Sequence, residues 1–180
     1  MDFPPLHNWD LTPGEAIALQ VDLARKVVPT DQLAGPVRRV AGVDVSYRRG
    51  SSRFHAAVVV LEAEAMQPIE TASASGEVTF PYIPGLLSFR ELPILLEAFR
   101  SLRTVPDLIL VDGQGRAHPR RLGLACHLGL WLDLPTIGCA KSRLCGVADE
   151  PGPRRGDWTS LIDGDEEVGG GVRSRDRVRP

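Results

Sequence analysis

Only three cysteines occur in the 180 residues: Cys126, Cys139 and Cys145. The count is odd and no two of them make a CxxC pair. This excludes a disulfide framework and a thiolate zinc centre, and leaves three reduced thiols. No apolar run is long enough to span a bilayer. The first ten residues hold Phe3, Pro4, Pro5 and Trp9 but no basic-then-apolar export pattern, so a cytoplasmic location is expected. No segment repeats at solenoid spacing. Gly113-Gln114-Gly115 lacks the spacing of a dinucleotide loop, and no lysine completes a P-loop, so both nucleotide-binding readings fail. Charge of one sign is also lacking: the net value is -2, which singles out no polyanionic partner. Distribution says more than the sum. Between Asp112 and Gly146 stand Arg116, Arg120, Arg121, Lys141 and Arg143, against the acids Asp112 and Asp133 alone, so a local positive patch is expected there.

The chain has the length of one domain, with enough residues to bury a core without covalent staples. Thr12-Pro13-Gly14-Glu15 reads as a helix start, with Thr12 as cap, Pro13 in the first turn and Glu15 closing a capping box. Ala16, Leu19, Leu23 and Val27 follow at helical spacing, so a helix is expected to about Val28, ahead of Pro29. Val37 to Tyr47, Phe54 to Leu61 and Ile69 to Val78 read as three strands joined by short polar turns, an antiparallel meander. The grammar then changes. Leu86 to Leu102 has helical period, with Pro93 as a break or a new first turn. Asp107 to Val111 reads as a strand, Pro119 to Trp131 as a helix, and Pro135 to Ala140 as another strand. This alternation calls for parallel pairing. A meander followed by βαβ units predicts an α/β, ribonuclease-H-like mixed sheet flanked by helices. Asp157 to Ile162 and Glu167 to Arg173 read as a hairpin around Asp163-Gly164, although Gly169-Gly170-Gly171 is loose for a strand.

Three acids occupy positions that packing explains poorly. Asp44 lies inside a predicted strand, where a carboxylate near a core is costly unless it is paired or metal-bound. Asp112 ends the apolar run Leu108 to Val111, and ligand groups on α/β sheets collect at the carboxyl ends of strands. Glu91 follows Phe89-Arg90 beside Pro93. Such a set suits Mg²⁺, which takes hard oxygen ligands, few protein carboxylates and several waters. A metal pair about 3.5–4 Å apart clamps both oxygens of a phosphodiester displacement. For this to work the strands bearing Asp44 and Asp112 must be neighbours. Lys141, after Thr136 to Ala140, is placed to neutralise charge on a phosphate. His118 is a phosphate or base contact, or a cap of the following helix. His127 reads as packing. Phe80-Pro81-Tyr82-Ile83-Pro84-Gly85 is a stiff connection carrying a flat ring. Such a loop wedges between bases, or roofs a core.

These residues resemble the endonuclease V family, the deoxyinosine 3′ endonucleases. The resemblance is carried by Gly42 to Ser46, Pro81 to Glu91, Asp107 to Gly115, Ala117 to Gly123, Pro135 to Gly138 and Ala140 to Gly146, in family order along most of the chain. It implies Asp44 and Asp112 as ligands of Mg²⁺, with Mn²⁺ as a substitute. It implies Glu91 as the third catalytic acid, Lys141 as the catalytic lysine and Tyr82 as the strand-separating wedge. Gly85, Leu87, Gly113, His118, Gly123 and Leu124 match positions near the pocket for a flipped hypoxanthine, and Arg120 stands among these nucleic-acid contacts. The implied reaction is hydrolysis of the second phosphodiester bond 3′ to a deaminated base, leaving a 3′-hydroxyl and a 5′-phosphate. The implied partner is DNA carrying deaminated bases, with inosine-containing RNA as another substrate, a monomer and no membrane. Family members continue beyond the stretch resembling Glu167 to Pro180 with another strand and a helix that carries a histidine near the metals. No histidine follows His127 here, so a shortened single domain with weaker activity is expected. A lesion-binding protein that no longer cuts stays open. So does another nuclease of the fold, a resolvase or RNA-directed ribonuclease, against which the Tyr82 loop argues.

Overall fold

The computed structural model describes residues 1–178. The first helix, α1 (Pro13–Ala24), begins as its sequence dictates. The Thr12 hydroxyl accepts from the Glu15 amide at 3.3 Å, and the Glu15 carboxylate accepts from the Thr12 amide at 2.8 Å. It stops four residues before the expected Val28. The Lys26 and Val27 amides bond three residues back, to Leu23 and Ala24. Val28 precedes Pro29, and a residue before proline is pushed out of the helical region.

Three strands follow: β1 (Arg39–Tyr47), β2 (Arg53–Glu62) and β3 (Pro68–Glu77). They form the expected antiparallel meander, with Val43 opposite Val58 and Ala56 opposite Ala74. Alternation fixes the faces: Phe54, Ala56, Val58 and Val60 are buried while their odd-numbered neighbours are not. Helix α2 (Leu87–Arg100) then crosses back to β4 (Leu108–Val111), and α3 (Leu124–Leu132) leads to β5 (Thr136–Gly138). The sheet runs β3-β2-β1-β4-β5, with β1/β4 and β4/β5 parallel. This is the mixed α/β sheet expected of a ribonuclease-H-like fold.

One hydrophobic core joins the sheet to α2 and α3. It brings Ala41, Val43, Phe54, Val58, Ile109 and Val111 against Leu92, Leu95, Phe99, Leu124, Leu128 and Trp131. Its packing explains a departure from expectation. Pro93 neither breaks α2 nor restarts it; the helix runs through it. An interior proline costs about 3 kcal/mol, and the helix is held on both sides by buried Leu92, Ile94, Leu95 and Leu96. Helix α3 departs too, starting at Leu124 rather than Pro119. Arg121 has a left-handed φ of 56°, which ends any helical run, and the Gly123 amide turns back to the Gly115 carbonyl at 3.0 Å.

The hairpin β6 (Trp158–Asp163) and β7 (Glu166–Val172) forms a separate two-stranded sheet, turning at Gly164 with φ of 66°. The three glycines do not loosen it. A Cβ on Gly170 would lie 2.9 Å from the Trp158 ring, so the missing side chain is what lets Trp158 lie across the pair. No helix among the described residues is long and apolar enough to cross a membrane.

Candidate active site

The register of β1 on β4 brings two distant carboxylates to one place. Val43 pairs with Val111, and the Asp112 amide follows, 3.5 Å from the Val43 carbonyl. Asp44 and Asp112 are therefore the next residues along two adjacent parallel strands. Asp44 is exposed. With Ser46, His55, Ser73 and Ser75 it lines a shallow trough of about 310 Å³ on the sheet.

Glu91 comes from the second turn of α2 and is 8% exposed. Burial, then the charges of Asp44 and Asp112, push its carboxyl up to about 7, against the opposing pull of Arg90. A carboxyl group that two others can raise is close to both. Lys141 follows β5 and donates from Nζ to Oδ2 of Asp112. That hydrogen bond and the charges of Asp112 and Asp44 raise its ammonium pKa. The structure thus brings Asp44, Glu91, Asp112 and Lys141 together from two strands, a helix and a loop.

The second group of predicted residues surrounds the Phe80–Gly85 loop. Tyr82 is 65% exposed at its tip. The loop is fastened at both ends. Arg90 donates from Nη1 to the Phe80 carbonyl at 3.0 Å, with its guanidinium over the Tyr47 and Phe54 rings. At the far end the Gly85 carbonyl accepts from Gln20 Nε2 at 3.0 Å, His118 Nε2 at 3.1 Å and Arg120 Nη2 at 2.9 Å. Gly85 has φ of 81°, and a Cβ there would lie 2.8 Å from Arg120 Nη2; only glycine fits. His118 is buried. Burial first, then Arg120 and Arg121, lower its pKa to about 4, so it is neutral, with Nδ1 accepting from the Arg120 amide at 3.1 Å.

Leu87 opens α2, and Leu124 opens α3 against Gly113, where a Cβ would stand 3.1 Å from Leu124 Cδ2. A Cβ on Gly123 would run into the Gln114 carbonyl. The wall made by Gly85, Gly113 and Gly123 is therefore mostly backbone.

The expected positive patch is smaller than the count of basic residues suggests, because three of the five are paired with acids. Arg116 pairs with Glu166, and Arg121 binds Asp163 at 2.7 Å and Glu166 at 2.6 Å. Both acids come from the hairpin, some 45 residues along the chain, beyond the segment where the patch was counted. Lys141 rests on Asp112, whereas Arg120 bonds only the neutral oxygens of Gln20 and Gly85 and keeps its charge.

Two glutamines near the site are given no role by the sequence reading. Gln114 donates from Nε2 to the Ser142 carbonyl at 2.6 Å, tying the Asp112 loop to the Lys141 loop. Gln20 sits buried in α1 among apolar positions, where a periodicity of hydrophobic residues overlooks it.

The chain has counterparts among known proteins. The endonuclease V family model matches residues 21–180. An endonuclease V of Dehalococcoides mccartyi is 51% identical over 175 residues, 97% of this chain and 78% of that protein. The crystal structure of endonuclease V from Streptomyces avermitilis superposes with a TM-score of 0.88 at 44% identity, covering 96% of this chain and 76% of that one. A Ciona intestinalis endonuclease V in complex with a 23mer DNA containing an inosine followed by a ribo-adenosine superposes with a TM-score of 0.69 at 29% identity, over 75% of this chain and 61% of that one. Sequence and fold agree along nearly the whole chain, which belongs to the endonuclease V family.

Proposed function

We propose that the chain is a cytoplasmic, metal-dependent DNA repair endonuclease. It recognises hypoxanthine in DNA and hydrolyses the second phosphodiester bond on its 3′ side, leaving a 3′-hydroxyl and a 5′-phosphate. The observation that carries this reading is the meeting of Asp44, Glu91 and Asp112 beside Lys141.

The donor set fits Mg²⁺ or Mn²⁺. Among the described residues no group of three or more His, Cys, Asp or Glu side chains is placed to hold a metal ion, so the fit rests on a pair. Two adjacent carboxylates, Asp44 and Asp112, with open positions for water and phosphate oxygens, are what a hard cation that dehydrates reluctantly takes. Burial first, then the charges of Asp44 and Asp112, raise the Glu91 carboxyl, and a cation between the acids would relieve the second of these. A bound divalent cation supplies charge stabilisation at the scissile phosphate. Glu91, the third acid, stands next to that phosphate as a group that could hold or release a proton. Lys141 adds a mobile positive charge on the same side.

Tyr82 is the wedge: a ring held out into solvent by a loop with two prolines. The base it displaces enters the space bounded by Gly85, Leu87, Gly113, His118, Gly123 and Leu124, where backbone groups read its edge. Arg120 serves this region by bracing the loop. The Ciona protein's partner, an inosine followed by a ribo-adenosine, supports the base assignment. It also makes a ribonucleotide 3′ to the lesion an informative second substrate.

The test is a labelled duplex with one deoxyinosine, incubated with Mg²⁺ and the purified protein, the product ends being mapped at nucleotide resolution. Wild type yields one cut at the second bond 3′ to the lesion, and Asp44→Ala yields none. Equal cutting by both preparations, or equal cutting of a duplex without inosine, would overturn the reading.

A further inference from the structure

A buried amide on α1 grips the wedge loop from behind. Gln20 is 1% exposed and uses its whole side chain. Its Nε2 donates to the Gly85 carbonyl at 3.0 Å and to the Leu122 carbonyl at 2.7 Å. Its Oε1 accepts from Arg120 Nε at 2.5 Å. Arg120 in turn donates from Nη2 to the same Gly85 carbonyl. One side chain therefore closes a ring through three segments: α1, the end of the Tyr82 loop, and the turn before α3 that carries Leu122, Gly123 and Leu124.

Apolar packing reinforces the ring without replacing it. Ala16, one turn before Gln20, is buried in a cluster with Leu86 and Phe89, against which Phe80 and Ile83 pack. This contact positions the loop but is indifferent to small slides, whereas hydrogen bonds fix distance and direction. The glutamine supplies that directional part. A buried amide with every donor and acceptor used is worth keeping only where a unique arrangement matters, since an apolar side chain of the same shape fills the space equally well.

We propose that Gln20 is a positioning residue for damaged-base recognition: it locks the Gly85 end of the Tyr82 loop to the Leu122–Leu124 wall of the base pocket, so that wedge and pocket keep one spacing. Gln20 touches neither substrate nor reacting atoms and acts through Tyr82. The proposal rests on the wedge reading above.

The substitution Gln20→Met keeps the volume and removes all three hydrogen bonds. Gln20→Glu keeps the acceptor for Arg120 but sets a carboxylate against two carbonyls. Thr12→Ala, which removes the α1 cap, is the control for general loosening of that helix. Amide hydrogen exchange of the free protein comes first. Both Gln20 variants should exchange faster at the Leu86 amide, which closes the end of the Tyr82 loop on the Ile83 carbonyl at 3.0 Å, by about tenfold or more, well below their melting temperatures, and Thr12→Ala should not. Unchanged exchange there overturns the lock whatever the substrate proves to be.

Strand opening comes second, read as 2-aminopurine fluorescence beside the inosine. Gln20→Met should cut the signal about tenfold in apparent affinity, the scale of one lost buried hydrogen bond. It should add little in a Tyr82→Ala background, because the two act in one step. A full, multiplicative loss in the double variant overturns the proposal. Faster exchange in the Gln20 variants, together with a Tyr82→Ala protein that opens inosine duplexes like wild type, would instead overturn the wedge reading and leave the lock standing.

Discussion

Asp44 and Asp112 stand side by side on parallel strands, each one residue beyond the paired Val43 and Val111. Burial, with their charges added, holds Glu91 up to about 7 against an ordinary value of 4.5. A group whose pKa is raised by folding favours the folded state fully below its unfolded value and loses that contribution as pH climbs through the folded one. The window is therefore pH 4.5 to about 7, and above it the ionised Glu91 opposes folding. A shift of this size corresponds to roughly 3 kcal/mol. Glu91→Gln should raise the melting temperature of metal-free protein at pH 8 by several degrees, with no gain at pH 4.5. Mg²⁺ should raise wild-type stability at pH 8 and do so far less in Asp112→Asn. Scanning calorimetry at the two pH values checks both, and an equal effect of Glu91→Gln at each would remove the electrostatic account.

Lys141 separates catalysis from stability. Its side chain is 84% exposed although Nζ rests on Asp112, and exposed ion pairs stabilise folding by at most about 1 kcal/mol. Near a developing phosphate charge one well-placed cation matters far more, on the order of 100-fold in rate. Lys141→Ala should leave the melting temperature within a degree or two and slow single-turnover cutting of inosine DNA by about 100-fold. Rapid-quench kinetics beside a thermal melt measures the pair. A large loss of stability with a small loss of rate would reverse the assignment.

These sites show which parts of the molecule its letters reveal. The adjacency of Asp44 and Asp112 was legible because the meander-then-βαβ order makes their strands neighbours, although Asp44 proves exposed rather than set against the core. Tyr82 was legible because two prolines stiffen its loop. Gln20 was not, since an amide on a helix carries no period and its partners, Gly85 and Leu122, are main-chain carbonyls. The basic patch is overcounted in the sequence for a related reason. Arg116 and Arg121 look unpaired within their own segment, and their acids arrive from a hairpin that sequence distance hides. Pro93 shows tertiary packing overriding a local rule, as does Gly170, whose bareness in a strand is met by the Trp158 ring.

The N-terminal segment is tied to the core by an acid-labile contact. His7 Nε2 lies 2.8 Å from His127 Nε2 and 3.3 Å from Trp131 Nε1, while its Nδ1 bonds the Asn8 carbonyl at 2.6 Å. His127 Nδ1 meets the Ser88 hydroxyl at 3.0 Å. Trp131 can only donate, so His7 Nε2 must accept, and both rings are neutral. Burial lowers both pKa values, that of His127 to about 3. A depressed pKa means stability present above the unfolded value of 6.5 and lost as pH falls toward the folded one. Melting temperature should drop between pH 6.5 and 4. His7→Gln, which keeps an acceptor for Trp131 and His127 but does not titrate, should match wild type at pH 7.5 and lose less on acidification. Identical acid profiles would show that the pair does not report pH.

Arg121 anchors the hairpin through two acids. Its Nε binds Glu166 and its Nη1 binds both Asp163 and the His118 carbonyl at 2.9 Å, with about a quarter of the side chain exposed. Two acids on one planar fork make a directional joint that a lysine cannot reproduce. Arg121→Ala and Arg121→Lys should therefore both loosen β6–β7, seen as faster proteolysis between residues 147 and 172 and a melting temperature lower by a few degrees. The salt dependence of DNA binding separates anchor from contact. A cation that neutralises a phosphate contributes about one unit to the slope of log affinity against log salt. Arg121→Ala should weaken binding with that slope unchanged, because its charge is already matched by Asp163 and Glu166. A slope reduced by about one would mean that Arg121 leaves its acids for the phosphate backbone when DNA arrives.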